Sequence, residues 1–196
     1  MVNRFLRAKH WQLFLLTFGI PLIFQVIMMG IVFTSIGREG SPAPQFMFSY
    51  FRLFPVMMII FMAVYFGWFW AVAIGLQQHV PESVHMKVKK FKVLFLIPML
   101  YMLLLALFIG GFMQFVVSSE GPSGGFIGGI AAIIVPLHLL SMFCIFYTLY
   151  FVAKTIKTVE LQREVNFSDF AGEFFMIWFY PIGVWILQPK INAIVR

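Results

Sequence analysis

Long stretches without a charge alternate with short clusters of lysine and arginine along this chain. Residues 11–37, 53–78, 93–119 and 121–153 each run for at least 26 positions without Lys, Arg, Asp or Glu. A helix of roughly 20 residues crosses the hydrocarbon core of a bilayer, so each stretch is long enough, with a few residues to spare for tilt. The two-residue alternation of a membrane β-strand is absent, and in lipid a backbone outside a barrel satisfies its polar groups only as helix. The pattern therefore predicts four transmembrane helices near 11–36, 53–78, 93–117 and 126–152. The first is too long for the apolar core of a signal peptide and no small-x-small cleavage site follows it, so it is expected to stay in the protein.

A fifth apolar stretch, residues 170–189, differs in kind. It holds Glu173 near its start and Pro181-Ile182-Gly183 in its middle, and a proline followed by glycine breaks a helix. Asn166 or Ser168 can cap a new helix, with Asp169 and Glu173 near its positive end. The expected form is a helix of about three turns, a break at 181–183 and a short arm returning to Lys190. A re-entrant and an in-plane placement both suit this form. The predicted fold is thus an all-α integral membrane protein, with a four-helix transmembrane bundle over residues 1–165 and a broken re-entrant or interfacial C-terminal helix over 166–196.

Composition agrees with lipid as the solvent. The hydrophobic fraction is 62%, the charged fraction 11% and the mean hydropathy +0.95, against about half apolar and a quarter charged in a globular chain. The net charge of +7 reads as the basic skirt of a membrane protein and not as a nucleic-acid surface. Its distribution gives an orientation. Arg4, Arg7 and Lys9 precede the first helix, Lys87, Lys89, Lys90 and Lys92 follow the second, and Lys154, Lys157 and Arg163 follow the fourth; only Arg38 and Arg52 fall on the other side. The positive-inside rule puts the lysine-rich side in the cytoplasm. A full crossing by residues 170–189 would place Lys190 and Arg196 against that bias.

The basic connections read as helix extensions. In residues 81–95, Pro81 suits a first helical turn and Glu82 its dipole end, with Val84, Val88, Phe91 and Phe95 on one face. Lys87, Lys89, Lys90 and Lys92 should then lie at headgroup height as contacts for anionic lipid. Residues 154–165 extend the fourth helix to a bend at Asn166, with Lys157–Glu164 and Glu160–Arg163 as local charge pairs.

Candidate chemistry is sparse. Ionisable or polar groups inside a membrane are ligand or transport candidates by default; here these are His138, Glu173 and Gln114. For Glu173 the pointed expectation is a partner Arg or His that fixes the last segment to the bundle. His79, Glu82 and His85 form the histidine cluster, but Pro81 interrupts it, so no metal site is expected. The single cysteine, Cys144, excludes an intrachain disulfide. No HExxH, P-loop, carboxylate pair or nucleophile elbow occurs, and Asp169 is the only aspartate, which disfavours acid–base, two-metal and phosphoryl-transfer chemistry. No catalytic residue and no cofactor is predicted. Gly128 and Gly129, in a run of glycines at four-residue spacing, are candidates for close helix packing. Trp11, Trp178 and Trp185 suit the aromatic belt.

Residues 159–192, with "VELQREVNFSDFAGEFF" and "WFYPIGVWILQPKIN", resemble the C-terminal segment of small, uncharacterised multispanning membrane proteins of Bacteroidota-type bacteria. The resemblance covers about a sixth of the chain. It implies a bacterial inner-membrane protein in which the charged bend, Gly172-Glu173 and Gln188-Pro189-Lys190 form one unit, and it carries no activity. The expected role is a non-catalytic accessory or assembly subunit, partnered by membrane lipids and by another membrane protein or a second copy. The alternative is a small transporter, channel or lipid-handling protein, which His138, Gln114 and Glu173 converging on one cavity would favour.

Overall fold

The computed structural model describes residues 2–39, 44–118 and 124–195, with the side chains of 35–52, 110, 113–118 and 127 outside that description. The protein is all-α. A short helix α1 (Val2–Leu6) precedes α2 (His10–Phe14), which runs through a π-helical turn at Leu15–Gly19 into α3 (Ile20–Glu39). Pro21 lacks the N–H that would bond the carbonyl four residues back, at Thr17, and this accounts for the wider turn there. Then come α4 (Pro44–Gly75), α5 (Val88–Ser118), α6 (Gly124–Leu161), α7 (Phe167–Trp178) and α8 (Tyr180–Ile194). Four helical stretches, His10–Thr34, Leu53–His79, Val88–Ile109 and Gly128–Leu161, are long and apolar enough to cross a membrane. Each overlaps one of the stretches that lack charge, and the third and fourth also take in part of the basic connections.

Helices α4, α5 and α6 pack in sequence order, whereas α3 rests chiefly on α4. Burial is concentrated at one end. Trp68, Phe69, Val72 and Leu76 near the end of α4 meet Phe91 and Phe95 at the start of α5 and Val152 and Ile156 near the end of α6. Phe170 and Ile177 of α7 and Leu187 and Ile191 of α8 complete the same core. This is the lysine-rich end. Away from it, Ile23, Val26, Leu104, Leu107, Ile133 and Leu139 are exposed, as side chains facing lipid or another protein would be.

The start of the chain is part of this core. Helix α1 lies across α4 where Gly67 and Gly75 present no side chain. A Cβ at Gly75 would stand 2.6 Å from Val2 Cγ1 and 2.7 Å from Leu6 Cδ1, and one at Gly67 would stand 2.8 Å from Phe5 Cζ.

Several boundaries differ from expectation. The helix predicted from Pro81 starts only at Val88; residues 81–87 form turns and extended chain, because a proline followed by a Glu-Ser pair is as good a turn as a first helical turn. The bend expected at Asn166 begins at Gln162, whose φ of 52° lies in the left-handed region. Its side chain holds the turn by donating to the carbonyls of Val159 (2.7 Å) and His79 (3.1 Å). Asn166 does stand at the N-cap of α7, and its backbone N–H donates to Asp169 Oδ2 at 2.9 Å, the return half of a capping box. The predicted break at 181–183 occurs at Phe179 instead, and Pro181 sits in the first turn of α8, where its missing N–H costs nothing. The second arm is a 15-residue helix that passes Lys190 and ends at Ile194.

Helices α7 and α8 form a hairpin. Gly183 faces α7 so closely that a Cβ would fall on the Met176 carbonyl oxygen. The inner face of α7 is Phe170, Glu173 and Ile177, one helical stripe. The outer surface at the tip is apolar and exposed: Phe175, Trp178, Phe179, Ile182, Trp185 and Ile186.

Candidate functional site

The polar groups of the chain gather at the buried end, in three adjoining arrangements. The first is a ring of four charges. Lys157 and Glu160 lie one turn apart on α6, Glu173 on α7 and Lys190 on α8. Lys157 Nζ is 3.0 Å from Glu160 Oε2 and 3.2 Å from Glu173 Oε1, and Lys190 Nζ is 2.8 and 3.0 Å from the same two oxygens. Each ammonium bridges both carboxylates, so the ring is closed and neutral. It ties three helices together.

Glu173 was expected to meet an arginine or histidine; it meets two lysines. The expected pairs Lys157–Glu164 and Glu160–Arg163 do not form. Arg163 turns instead to Asp169, with its two terminal nitrogens 3.1 and 3.3 Å from the two carboxylate oxygens, and Glu164 stands 3.9 Å from Lys154. The chain leaves the helix at Leu161, which carries Arg163 and Glu164 away from the face that local spacing would give them.

The charges shift each other's titration. The backbone N–H of Asn166, with the Arg163 guanidinium, holds Asp169 below the ordinary aspartate range. Burial pushes the Glu173 carboxyl up, but the Lys190 and Lys157 ammonium groups outweigh it and hold the group below the usual glutamate value of 4.5. A carboxyl depressed in the folded state stabilises fully above its unfolded value, and that contribution fades as pH falls through the lower folded value. Glu173→Gln should therefore cost about 1–2 kcal/mol at pH 7, since the lysines keep some solvent to screen them. It should also flatten the loss of thermal stability below about pH 4.5. Melting curves of both proteins across pH 3–7 (roughly the titration window) check this; identical curves would mean the ring adds no stability.

The second arrangement is an amide hub. Gln188 is fully buried. Its Oε1 accepts from Trp68 Nε1 at 2.7 Å, and its Nε2 stands within donating distance of the carbonyls of Phe5 (3.0 Å), Leu6 (3.2 Å) and Ala8 (2.9 Å) and of Asn192 Oδ1 (3.1 Å). Asn192 Nδ2 donates to the Ala8 carbonyl as well. A helix leaves its last carbonyls without intrahelical donors, and here α8 supplies donors to the end of α1. One side chain thereby joins α1, α4 and α8. The resemblance placed Gln188 in a C-terminal unit, but its link to α1 and α4 was missed, because a single Gln in a short apolar helix has no periodic signal.

The third is a cavity of ≈ 680 Å³ between the turn before α5, the last turns of α6, and α7. Lys87, Lys90, Lys154 and His85 line it together with Tyr147, Tyr150, Phe167 and Phe174, and Glu164 is its one acid. Lys90 Nζ lies 4.9 Å from the centre of the Tyr147 ring, a cation–π distance. Of the four lysines predicted to contact lipid, only Lys87 and Lys90 line this cavity; Lys92 reaches instead towards Trp70, at 6.0 Å. A further cavity of ≈ 540 Å³ between α1, α4 and α5, lined by Phe5, Met62, Phe66, Trp70 and Met99 among others, contains no ionisable side chain.

The other candidates stand apart from this end. His138 Nδ1 is 3.1 Å from Tyr101 Oη, a bond between α5 and α6. Along α6 it lies about 28 Å from Lys157, so His138 and Glu173 share no cavity. The Gln114 side chain lies outside the described residues. Gly128 and Gly129 are exposed, and a Cβ at either would meet nothing within 4 Å; they make no close helix contact among the described residues. Nor, among those residues, does any group of three His, Cys, Asp or Glu stand close enough to hold a metal ion.

No family model, no curated protein and no solved structure matches this chain.

Proposed function

We propose that this protein is a non-catalytic accessory or assembly subunit of a membrane complex, resident in the bacterial inner membrane with its basic end in the cytoplasm. The observation that carries this reading is the open small-residue face of α6. Gly125, Gly128 and Gly129 have no neighbour within 4 Å of an added Cβ, and Ala131 and Ala132 beside them are exposed. In lipid, small residues let helix backbones approach closely, and such contacts drive association where hydrophobicity cannot. Among the described residues nothing packs on this face, so it is available to a helix of another subunit.

The charge distribution supports the same reading. Glu173 is neutralised in a ring that fastens the protein's own hairpin, and His138 is bonded to Tyr101, so neither begins a polar path across the membrane. The hairpin supports a re-entrant placement. Helices of 12 and 15 residues are about 18 and 22 Å long, short of the roughly 30 Å core. Their apolar tip suits the acyl region while Lys190 and Asp169 stay at the surface.

Gly128→Leu with Gly129→Leu should dissolve the complex that the wild-type protein forms in mild detergent, at least ten-fold by native gel or crosslinking, which corresponds to about 1.4 kcal/mol. Melting of the variant's own fold should stay unchanged. Wild-type and variant proteins that migrate alike, both as single chains or both in one stoichiometric complex, would remove this reading.

A further inference from the structure

The geometry points to the basic, aromatic cavity between α5, α6 and α7 as a binding site for the phosphodiester headgroup of an anionic phospholipid. Three lysines and one glutamate line it, which leaves two positive charges unmatched, and the glutamate's own pairing with Lys154 is loose at 3.9 Å. The adjoining ring of Lys157, Glu160, Glu173 and Lys190 is by contrast closed and neutral, so its carboxylates are already engaged by its own lysines. Its volume of ≈ 680 Å³ falls within the roughly 300–1,000 Å³ of ligand pockets. An ammonium recognises phosphate as a point charge, and phenol rings accept the glycerol region beside it with both apolar faces and hydroxyls.

The ligand is a lipid because of what continues from the cavity along α6. Phe143, Tyr147, Tyr150 and Lys154 recur at helical spacing and so share one face. Phe143 is 75% exposed, and Leu139, one turn further, is 53% exposed. The face thus passes from lysine through tyrosine to bare hydrocarbon, the order of an anionic lipid read from headgroup to acyl chain. A soluble phosphate ester would use only the first part. This site is independent of the α6 glycine face, which lies at the other end of that helix.

Two double variants with the same charge change test it: Lys87→Gln with Lys90→Gln inside the cavity, and Lys89→Gln with Lys92→Gln outside it. Each is purified in mild detergent and titrated with phosphatidylglycerol, with phosphatidylcholine and with inorganic phosphate, and bound lipid is counted by native mass spectrometry. The expected result is saturable retention of phosphatidylglycerol over phosphatidylcholine. The inner pair should lose it at least ten-fold, while the outer pair stays within about two-fold of wild type. Millimolar phosphate should leave it in place. Lys154→Gln should weaken retention as well, and equal melting of all variants excludes misfolding as the cause. Equal loss in both pairs would reduce the effect to general surface charge, and displacement by phosphate would make the ligand a soluble anion. Either result overturns the proposal.

Discussion

Gly183→Ala should unseat the C-terminal hairpin, and of all single substitutions considered it should have the largest effect. The added carbon would fall on the backbone carbonyl oxygen of Met176 in α7, and backbone cannot swing aside as a side-chain end can. The two helices would have to separate, and with them Glu173 from Lys190 and Gln188 from α1. The upper range of overpacking costs applies, about 3 kcal/mol, or on the order of 10 °C in melting temperature. Gly172→Ala is the control. A Cβ there would meet only Met176 Cε, at 3.9 Å, and should leave melting unchanged. Equal melting of the two variants would mean that the hairpin is not held in this geometry.

Gln188→Leu should be nearly as damaging, for the opposite reason: it leaves groups unpaired. The indole N–H of Trp68 would lose its acceptor, and the carbonyls at the end of α1 would lose their buried donor. Each orphaned buried group costs about 1–3 kcal/mol, and the combined loss is expected at about 3 kcal/mol. The local signature is sharper than the global one. Backbone amides of α1 should exchange at least ten-fold faster with deuterium, because α1 is a single short turn that depends on its neighbours. Asn192→Ala, which removes a second donor to Ala8 and one of several acceptors of the Gln188 amide, should cost only about 1 kcal/mol. Protection of residues 2–8 that is the same in Gln188→Leu as in wild type would show that the hub does not hold α1.

What sequence could reveal here depended on whether a feature is periodic or singular. The four spans rest on runs of at least 26 uncharged residues, and no local detail can hide a signal of that length. The start of α7 was legible to within two residues because Asn166 and Ser168 are both capping types, and the structure selects Asn166. Pro181 was misread, since proline opens a helix as readily as it ends one, and only packing against Met176 puts the break at Phe179. Pro81 misled in the reverse sense. Glu173 was visible as an anomaly, a carboxylate in an apolar stretch, but its partners lie 16 and 17 residues away on other helices, beyond any helical register. Gln188 was marked only as part of the C-terminal unit that the resemblance implied, and nothing pointed from it to α1. Its role depends on carbonyls at the far end of the chain, which every residue possesses and no sequence marks.

That separation has a consequence in time. The carbonyl of Phe5 and the amide that serves it are 183 positions apart. At a synthesis rate of about 5–20 residues per second, α1 waits roughly 10–40 s after it is made before its partner exists. Until Gln188 is made, the indole of Trp68 lacks its acceptor and α1 lacks the donor that fastens its last carbonyls, and for the end of that interval, after residue 161, all four long helices already exist. Synthesis of the long helices and completion of the core are therefore separate events for this protein. A chain that stops between residues 165 and 188 has all four long helices and lacks the side chain that locks its basic end.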